Sequence, residues 1–516
     1  MITHAYLKYA IALLMEENNL LNESDITFSQ IKREIAKGLN AFSVKPTDNY
    51  VGKESVKYDF VNEPNKAPQF VYLAPNTIAT EINASNLYKA AKKICDASNL
   101  ELEKKDKVTQ SQIPTAGEFC SFSDTGNIGR GKPEASNLCI CLGLITSTTP
   151  IKPCLQYISG GNGKISTDNI CLIPDLEIAQ LIDFIKLFKR LRLQKLSNIM
   201  IGKVVAEKGK KETFKPKRPK LFHGNFPNAP RSSSLGATAL LGAIGEMIKE
   251  KDVSDLARRV LESFKGINFY AFSYGDAQVF QFNHHIIDLA ENSCLRRVVD
   301  SLYFVSLYNQ GMRRADNIEY QKFDLFCSRF LQLFNKPAFK DFLSFRAEYP
   351  KELEILLNTY FINMEHISEE VVRSAKELGF WLNKVAFDAA KAEEKKNDEK
   401  DSKENNNEKL RKAKAKVLVE LESSIFASKS PDALIAHTIA RAGRLSALDA
   451  PAAASLFLEK VACGAVTLEQ AKNLLIAFSR LKSTGSKESD SKNEKSKDSS
   501  TEDATQGAPA DDYSNI

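Results

Sequence analysis

Residues 369–390 read EEVVRSAKELGFWLNKVAFDAA, and their spacing decides the fold of the carboxy-terminal part of the chain. Val371, Ala375, Leu378, Leu382, Val385 and Ala389 recur at the period of a helix, with Glu369, Glu370, Arg373, Lys376 and Lys384 off that stripe. A second helix follows in Leu410, Ala413, Val417, Leu421 and Ile425. Between them Lys391 to Lys409 is almost purely Lys, Glu, Asp and Asn, a composition that buries nothing and predicts a disordered loop. Further helix starts stand at Ser430-Pro431, at Asp449 with Pro451, and at Thr467-Leu-Glu-Gln470, a capping box ahead of Leu474, Leu475 and Phe478. Residues 364–482 therefore form an all-helical bundle of four or five helices.

Upstream the pattern is mixed. Asn137 to Thr146, Ile151 to Ile158 and Ile165 to Ile173 are apolar runs of strand length, the last two parted by Ser159-Gly-Gly-Asn-Gly-Lys164, a hairpin tip. A helix from Glu177 to Lys195 carries Ile178, Leu181, Ile182, Ile185 and Phe188, and ends in Lys186, Lys189, Arg190, Arg192 and Lys195. Leu235 to Lys251 is a small-residue helix. Ile267 to Tyr274 and Val279 to Ile287 predict a second hairpin, and Leu289 to Phe361 is Leu- and Phe-rich at helical spacing, a core pattern. The fold class is α+β: a mixed α/β amino-terminal domain over residues 1–221, a β-hairpin plus helical middle region over 222–363, the bundle over 364–482 and a tail over 483–516.

At 516 residues the chain is long enough to bury large cores. Its start has an apolar run only from Ala10 to Leu14 and no stretch is apolar enough to span a bilayer, so no membrane partner is expected. Nine scattered cysteines suit a reducing, cytoplasmic setting. The tail holds four lysines and eight carboxylates, a net of −4, so the chain's +6 leaves +10 on residues 1–482. The folded part is the cationic part, which points to a polyanionic partner.

Three groups of cations are candidate nucleic-acid contacts. Lys208, Lys210, Lys211, Lys215, Lys217, Arg218 and Lys220 crowd a Pro- and Gly-containing segment, read as a flexible loop that grips phosphates. Asn127, Arg130 and Lys132, in Asp124-Thr-Gly-Asn-Ile-Gly-Arg-Gly-Lys132, and Asn162 and Lys164 at the hairpin tip sit on Gly-rich loops whose backbone can approach a groove. Lys412, Lys414, Lys416, Arg441, Arg444 and Arg480 repeat along the bundle. Neither Gly-rich loop spaces its residues as a nucleotide-binding P-loop does.

Chemistry of other kinds finds little support. Cys139, Cys141, Cys154 and Cys171, with Cys120 nearby, raise the question of zinc, but Cys139 and Cys141 alternate along an expected strand and lack the usual turn, so inert buried thiols are expected and no metal or cofactor is assigned. His284 and His285 would face opposite ways on a strand. Asp168, Asp175 and Asp183 are close in sequence, yet caps and solvated groups are the common use of such residues. A nuclease or other nucleic-acid-processing enzyme and a generic RNA-binding scaffold stay open as alternatives.

A mixed body with cationic loops followed by a separable helical bundle resembles the large subunit of a type I CRISPR Cascade surveillance complex, nearest to the I-B subtype. The residues that carry the resemblance are the strand series Asn137 to Ile173 leading into Pro174-Asp175-Leu176, the basic segment Lys208 to Lys220, and the Met364 to Lys482 bundle. The resemblance implies a non-catalytic reader of the protospacer-adjacent motif in double-stranded target DNA. It implies help in opening the duplex and stabilising the R-loop, and antiviral defence as the setting. Its partners would be crRNA, the target duplex and its displaced strand, backbone, handle-binding and small Cascade subunits, and a recruited helicase-nuclease. The bundle would be similar to the small subunit, and Met364 would serve as an internal translation start that releases it.

Overall fold

The first helix, α1 (Ala5–Asn18), is buried over most of its length, from Ala5 to Met15 with Lys8 alone half-buried. A computed structural model of the chain describes residues 2–41, 43–46, 58–60, 71–72, 81–122, 130–161, 164–192, 202–205, 213–216, 225–227, 233–302, 306–307, 343, 347–397, 403–446 and 448–482. They fall into two units, Met1–Arg296 and Arg297–Ile516. Helices dominate, small antiparallel sheets lie in the first unit, and the second ends in a helical bundle, so the class is α+β as expected.

In the first unit α1 is followed by α2 (Phe28–Ala41), a sheet in which β1 (Ser43–Pro46) lies between β2 (Tyr58–Phe60) and β3 (Val71–Tyr72), and α3 (Glu81–Asp96). Next come β4 (Lys105–Lys107), β5 (Cys120–Phe122) and β6 (Arg130–Ser136), with β6 in the middle of its sheet. The chain then enters α4 (Asn137–Thr148), which corrects the strand expected from Asn137 to Thr146. Ser136 caps it, its Oγ accepting from the Cys139 N–H at 3.2 Å. Helices α1, α2 and α3 pack around α4, and an apolar run buried on all sides has no polar face to reveal its period. Tyr6 fixes the α1 contact: its hydroxyl meets Ser147 Oγ at 2.8 Å, and Thr146 Oγ1 donates to the Tyr6 carbonyl at 2.8 Å.

The expected hairpin forms as β7 (Cys154–Gly161) and β8 (Lys164–Pro174), paired from Cys154 opposite Cys171 to Gly161 opposite Lys164. After α5 (Ile178–Leu191), β9 (Gly202–Val205) pairs with β10 (Thr213–Pro216), so part of the expected basic loop is an antiparallel ribbon. Then follow α6 (Ser233–Met247), α7 (Ser254–Ser263), β11 (Phe269–Ser273) and β12 (Asp276–Phe280). Gly275, at φ +84°, makes the turn of this second hairpin, a conformation that side chains with a Cβ resist. β11 also pairs with β8, Tyr270 opposite Ile173, giving the sheet order β12-β11-β8-β7. One sheet thus takes strands from both sides of position 221. The second hairpin stops at Phe280: the strand expected to reach Ile287 gives way to α8 (His284–Glu291), because Asn283 Oδ1 accepts from the His285 N–H at 2.9 Å and starts a helix. The two histidines open that helix with ring centroids 3.8 Å apart instead of facing opposite ways. α9 (Leu295–Leu302) spans the division between the units.

The second unit opens with a two-residue pairing of β13 (Ser306–Leu307) and β14 (Ala347–Glu348), which interrupts the helical pattern expected from Leu289 to Phe361. Then come α10 (Glu354–Thr359), a wider helical turn at Tyr360–Met364, α11 (Glu369–Asn397), α12 (Lys403–Ala427), α13 (Pro431–Ser446), α14 (Ser455–Ala462) and α15 (Leu468–Ser479). α11 is the axis: Val371, Ala375, Leu378, Trp381, Leu382, Val385 and Ala386 are all buried, and α12, α13, α14 and α15 pack on it. Gly379 lets α15 close in, since a Cβ there would lie 2.5 Å from Phe478 Cβ. The capping box forms as expected, with Thr467 Oγ1 accepting from the Gln470 N–H at 3.2 Å and Gln470 Oε1 from the Thr467 N–H at 3.1 Å. The expected loop Lys391 to Lys409 is helical up to Asn397 and again from Lys403. Lys and Glu are good helix formers, and extending a helix already nucleated by a buried stripe is cheap. The folded bundle also starts before Met364. Phe361 lies against Phe478 with tilted rings, the Tyr349 N–H donates to the Arg480 carbonyl at 2.7 Å, and the Lys482 N–H donates to the Tyr349 carbonyl at 2.9 Å. The tail at 483–516 lies outside the described residues.

Candidate nucleic-acid interface

The period of α12 sorts its cations. Val417, Leu418, Leu421 and Ile425 turn into the core, which leaves Lys412 and Lys416 exposed, joined one turn earlier by Lys409. Lys409, Lys412 and Lys416 stand at i, i+3 and i+7 and so line one face, a row of charge suited to a phosphate backbone. Lys409 escaped the sequence reading because it ends the Lys/Glu/Asp/Asn run read as a loop. The helical period carried back from Leu410 would have found it. Lys414 is different: its Nζ donates to Glu348 Oε1 at 2.8 Å, and both side chains are largely enclosed. On α13, Arg441 Nη1 donates to Ser424 Oγ at 2.8 Å and Nη2 pairs with Glu420 of α12, while Arg444, one turn on, is exposed.

Arg480 is not a contact for DNA. It is fully buried, with Nε donating to Glu422 Oε1 at 2.8 Å, Nη2 to Glu422 Oε2 at 3.0 Å and Nη1 to the Tyr349 hydroxyl at 3.0 Å. The planar fork of the guanidinium meets a carboxylate two-to-two, a pairing that keeps a buried charge satisfied.

In the first unit the candidates divide in another way. Arg130 and Lys132 lie in β6, and Lys164 begins β8 opposite Gly161; all three are strand residues and not loop residues. Lys215 lies in β10 opposite Lys203, a second cation that the sequence reading left out of the group. Asn127, Asn162, Lys208, Lys210, Lys211, Lys217, Arg218 and Lys220 lie outside the described residues, as does Lys195. On α5, Lys186 and Arg190 are exposed, but Lys189 is taken by Glu16 and Glu17 of α1. Burial pushes the Glu17 carboxyl up, yet hydrogen bonds and charge from Lys189 and Lys37 bring it below its ordinary value, so this cluster is a structural tie.

Burial accounts for Cys141 and Cys171, and ion pairs for Asp175 and Asp183. Cys141 is on α4, where burial raises its thiol to about 12, and burial pushes Cys171 higher still. Such thiols stay protonated near neutral pH, a poor state for binding metal or attacking a substrate. Cys139 is on the same helix, two residues before Cys141, and not on the strand expected for it. Asp175 accepts from Lys8 Nζ at 2.6 Å, and Asp183 from Arg259 Nε at 3.2 Å. Among the described residues no three His, Cys, Asp or Glu side chains gather as a metal site, and no helix is long and apolar enough to cross a membrane.

A family model described as CRISPR-associated protein Csp2 matches residues 4–482. The chain belongs to that family. The match takes in both units and ends where the Ser-, Lys-, Asp- and Glu-rich tail begins, so the exposed face of α12 and the strand cations of β6 and β8 all lie inside the part that defines a Csp2 protein. No curated protein matches the chain. This Csp2-family protein is thus CRISPR-associated.

Proposed function

We propose that the chain is the large subunit of a type I CRISPR Cascade complex, nearest to the I-B subtype, and that it cleaves nothing itself. In this reading it recognises the protospacer-adjacent motif on the target duplex, helps to open it, holds the displaced strand and contributes to recruiting the helicase-nuclease, while the guide RNA supplies sequence specificity by base pairing. The Csp2 match over residues 4–482 carries the proposal. The exposed row Lys409, Lys412 and Lys416 supports the strand-holding part, since phosphate contacts position nucleic acid without reading sequence.

The test is reconstitution. The complex purified through the tagged chain is expected to contain crRNA and to bind a matched duplex more tightly when the correct flanking motif is present; omitting the chain should abolish that preference. A motif preference that survives without the chain overturns the proposal. So does metal-dependent cleavage of DNA or RNA by the isolated chain that an alanine at one of its own carboxylates abolishes, because that outcome belongs to a nuclease.

A further inference from the structure

The solvent side of α11 carries a pattern of its own. Arg373, Glu377, Phe380, Lys384, Phe387 and Lys391 follow one another at steps of three and four residues, the period of the core stripe, and so form a second stripe turned away from the core. Its two ends differ. Toward the amino end the groups are taken: Arg373 Nη2 donates to Glu369 Oε1 at 2.8 Å, and half-buried Phe380 has Lys376 Nζ 5.2 Å from its ring centroid, with Lys376 itself donating to Glu354 Oε1 at 2.6 Å. Toward the carboxyl end they are open. Lys384 and Lys391 are exposed and Phe387 is 40% exposed, so a bare ring stands one turn from a lysine on either side. Among the described residues no carboxylate pairs with Lys384 or Lys391, although Asp388 stands one turn past Lys384, and no ring or cation lies against Phe387.

A solvated helix face accounts for exposed lysines, and a single exposed apolar residue is ordinary on a protein surface. Neither accounts for lysine, ring and lysine left open in succession on one face whose other cations are paired. Residues 384 and 391 lie about 10 Å apart along the axis with Phe387 between them, and flexible lysine stems bring both ammonium groups to the flanks of the ring. Cations beside an open aromatic face are the means by which proteins hold an unpaired strand, with phosphates on the charges and a base on the ring. A duplex keeps its bases stacked on one another and offers the ring nothing. The net positive charge of residues 1–482 favours such a polyanion over an acidic protein surface.

We infer that Lys384, Phe387 and Lys391 of α11 bind single-stranded nucleic acid, a base stacking on Phe387 and its neighbouring phosphates meeting the two lysines. The inference rests on the reading of the chain as a nucleic-acid-binding subunit and adds to it a contact with bases, which the lysine row of α12 does not make. RNA and DNA strands share the phosphates and the base faces that this site takes, and the test separates them.

Binding of the full-length chain to labelled oligo(dT), oligo(rU) and a blunt duplex across a salt series tests it. Phe387→Ala should weaken single-strand binding by about fivefold or more, the least that one base–aromatic stack contributes, and leave the slope of log K against log salt unchanged. Phe387→Trp should keep the affinity, whereas Phe387→Leu, apolar but without a ring, should lose it. Lys384→Ala/Lys391→Ala should reduce the slope by about 1.4, at about 0.7 per phosphate contact on a single strand. All four variants should melt close to the unmodified chain, since these side chains project from the solvent side of α11. A loss confined to oligo(rU) assigns the face to RNA, one confined to oligo(dT) to DNA, and an equal loss to the chemistry that both share. Full affinity in Phe387→Leu overturns the stack, and an unchanged slope in the lysine variant overturns the phosphate contacts. A loss as large on the duplex as on the single strands overturns the site, and so does a companion subunit missing from the purified Phe387→Ala complex while single-strand binding is intact, which makes the face a protein contact. Lys412→Ala/Lys416→Ala separates the two readings. If that variant weakens binding and the α11 variants do not, the α11 site falls and the nucleic-acid reading stands; if the unmodified chain binds none of the probes, both fall.

Discussion

Lys416 and Arg480 belong to one helical bundle and carry the same charge, yet they do opposite things. Lys416 projects from α12 into solvent, whereas Arg480, just past α15, has no exposed surface and holds Glu422 with two nitrogens and Tyr349 with a third. A cation in a helical repeat is therefore evidence of a binding face only once its partner is known. A charge with a buried carboxylate within reach is part of the scaffold, and removing it leaves that carboxylate unpaired.

The largest effect should come from cutting the bundle at Met364. A fragment spanning 347–482 keeps the strap that pairs Tyr349 with Arg480 and Leu481, together with Phe361 against Phe478; one spanning 364–482 loses both. The loss of Phe361 alone is of the size of a core Phe deletion, about 3–5 kcal/mol. Thermal unfolding followed by circular dichroism should show the shorter fragment melting far lower or without cooperativity. Equal midpoints would mean that a product starting at Met364 is complete, and that Arg480 is supported well enough by Glu422.

Next in size is Arg480→Ala in the full chain. It should cost about 3–5 kcal/mol, because Glu422 stays buried without its partner, and should lower the melting temperature by about 10 °C. Replacing both partners, Arg480→Met with Glu422→Leu, should recover most of the loss. Single-strand binding measured well below the transition should match the unmodified protein; a changed salt slope would put Arg480 back among the nucleic-acid contacts.

The smallest effect belongs to Arg441→Ala. Its bond to Ser424 and its pairing with Glu420 are exposed, and such pairs contribute less than about 1 kcal/mol. If chemical denaturation shows a loss comparable to that of Arg480→Ala, the contrast between exposed and buried cations in this bundle fails.

Much of the bundle was legible because its signals are local. The stripe of α11, the capping box at Thr467 and Gln470, and Ser430 ahead of Pro431 each act within a turn or two of the chain. The Oγ of Ser430 does accept from the Ala433 N–H at 3.2 Å. Both hairpins were legible for the same reason, since turn residues and alternating runs adjoin one another. α4 was not: its apolar run from Leu138 to Ile145 fits a buried strand as well as a buried helix, and only the helices packed around it decide between them. The reach of α11 and α12 into the Lys- and Glu-rich run was missed because composition was weighed as though the run stood alone, without the helices that propagate into it from both sides.

The sequence by itself determined the helical period of residues 369–390, the caps, the two hairpins and the cationic balance of residues 1–482, all properties of neighbours along the chain. Only the tertiary structure decided which charges meet solvent. Arg480 is neutralised by a carboxylate 58 residues away, Lys414 by one 66 residues away and Lys189 by Glu16, 173 residues away, whereas Lys105 and Lys107 stay exposed on β4. Charge is written at each position, but desolvation and pairing depend on what the fold brings against it.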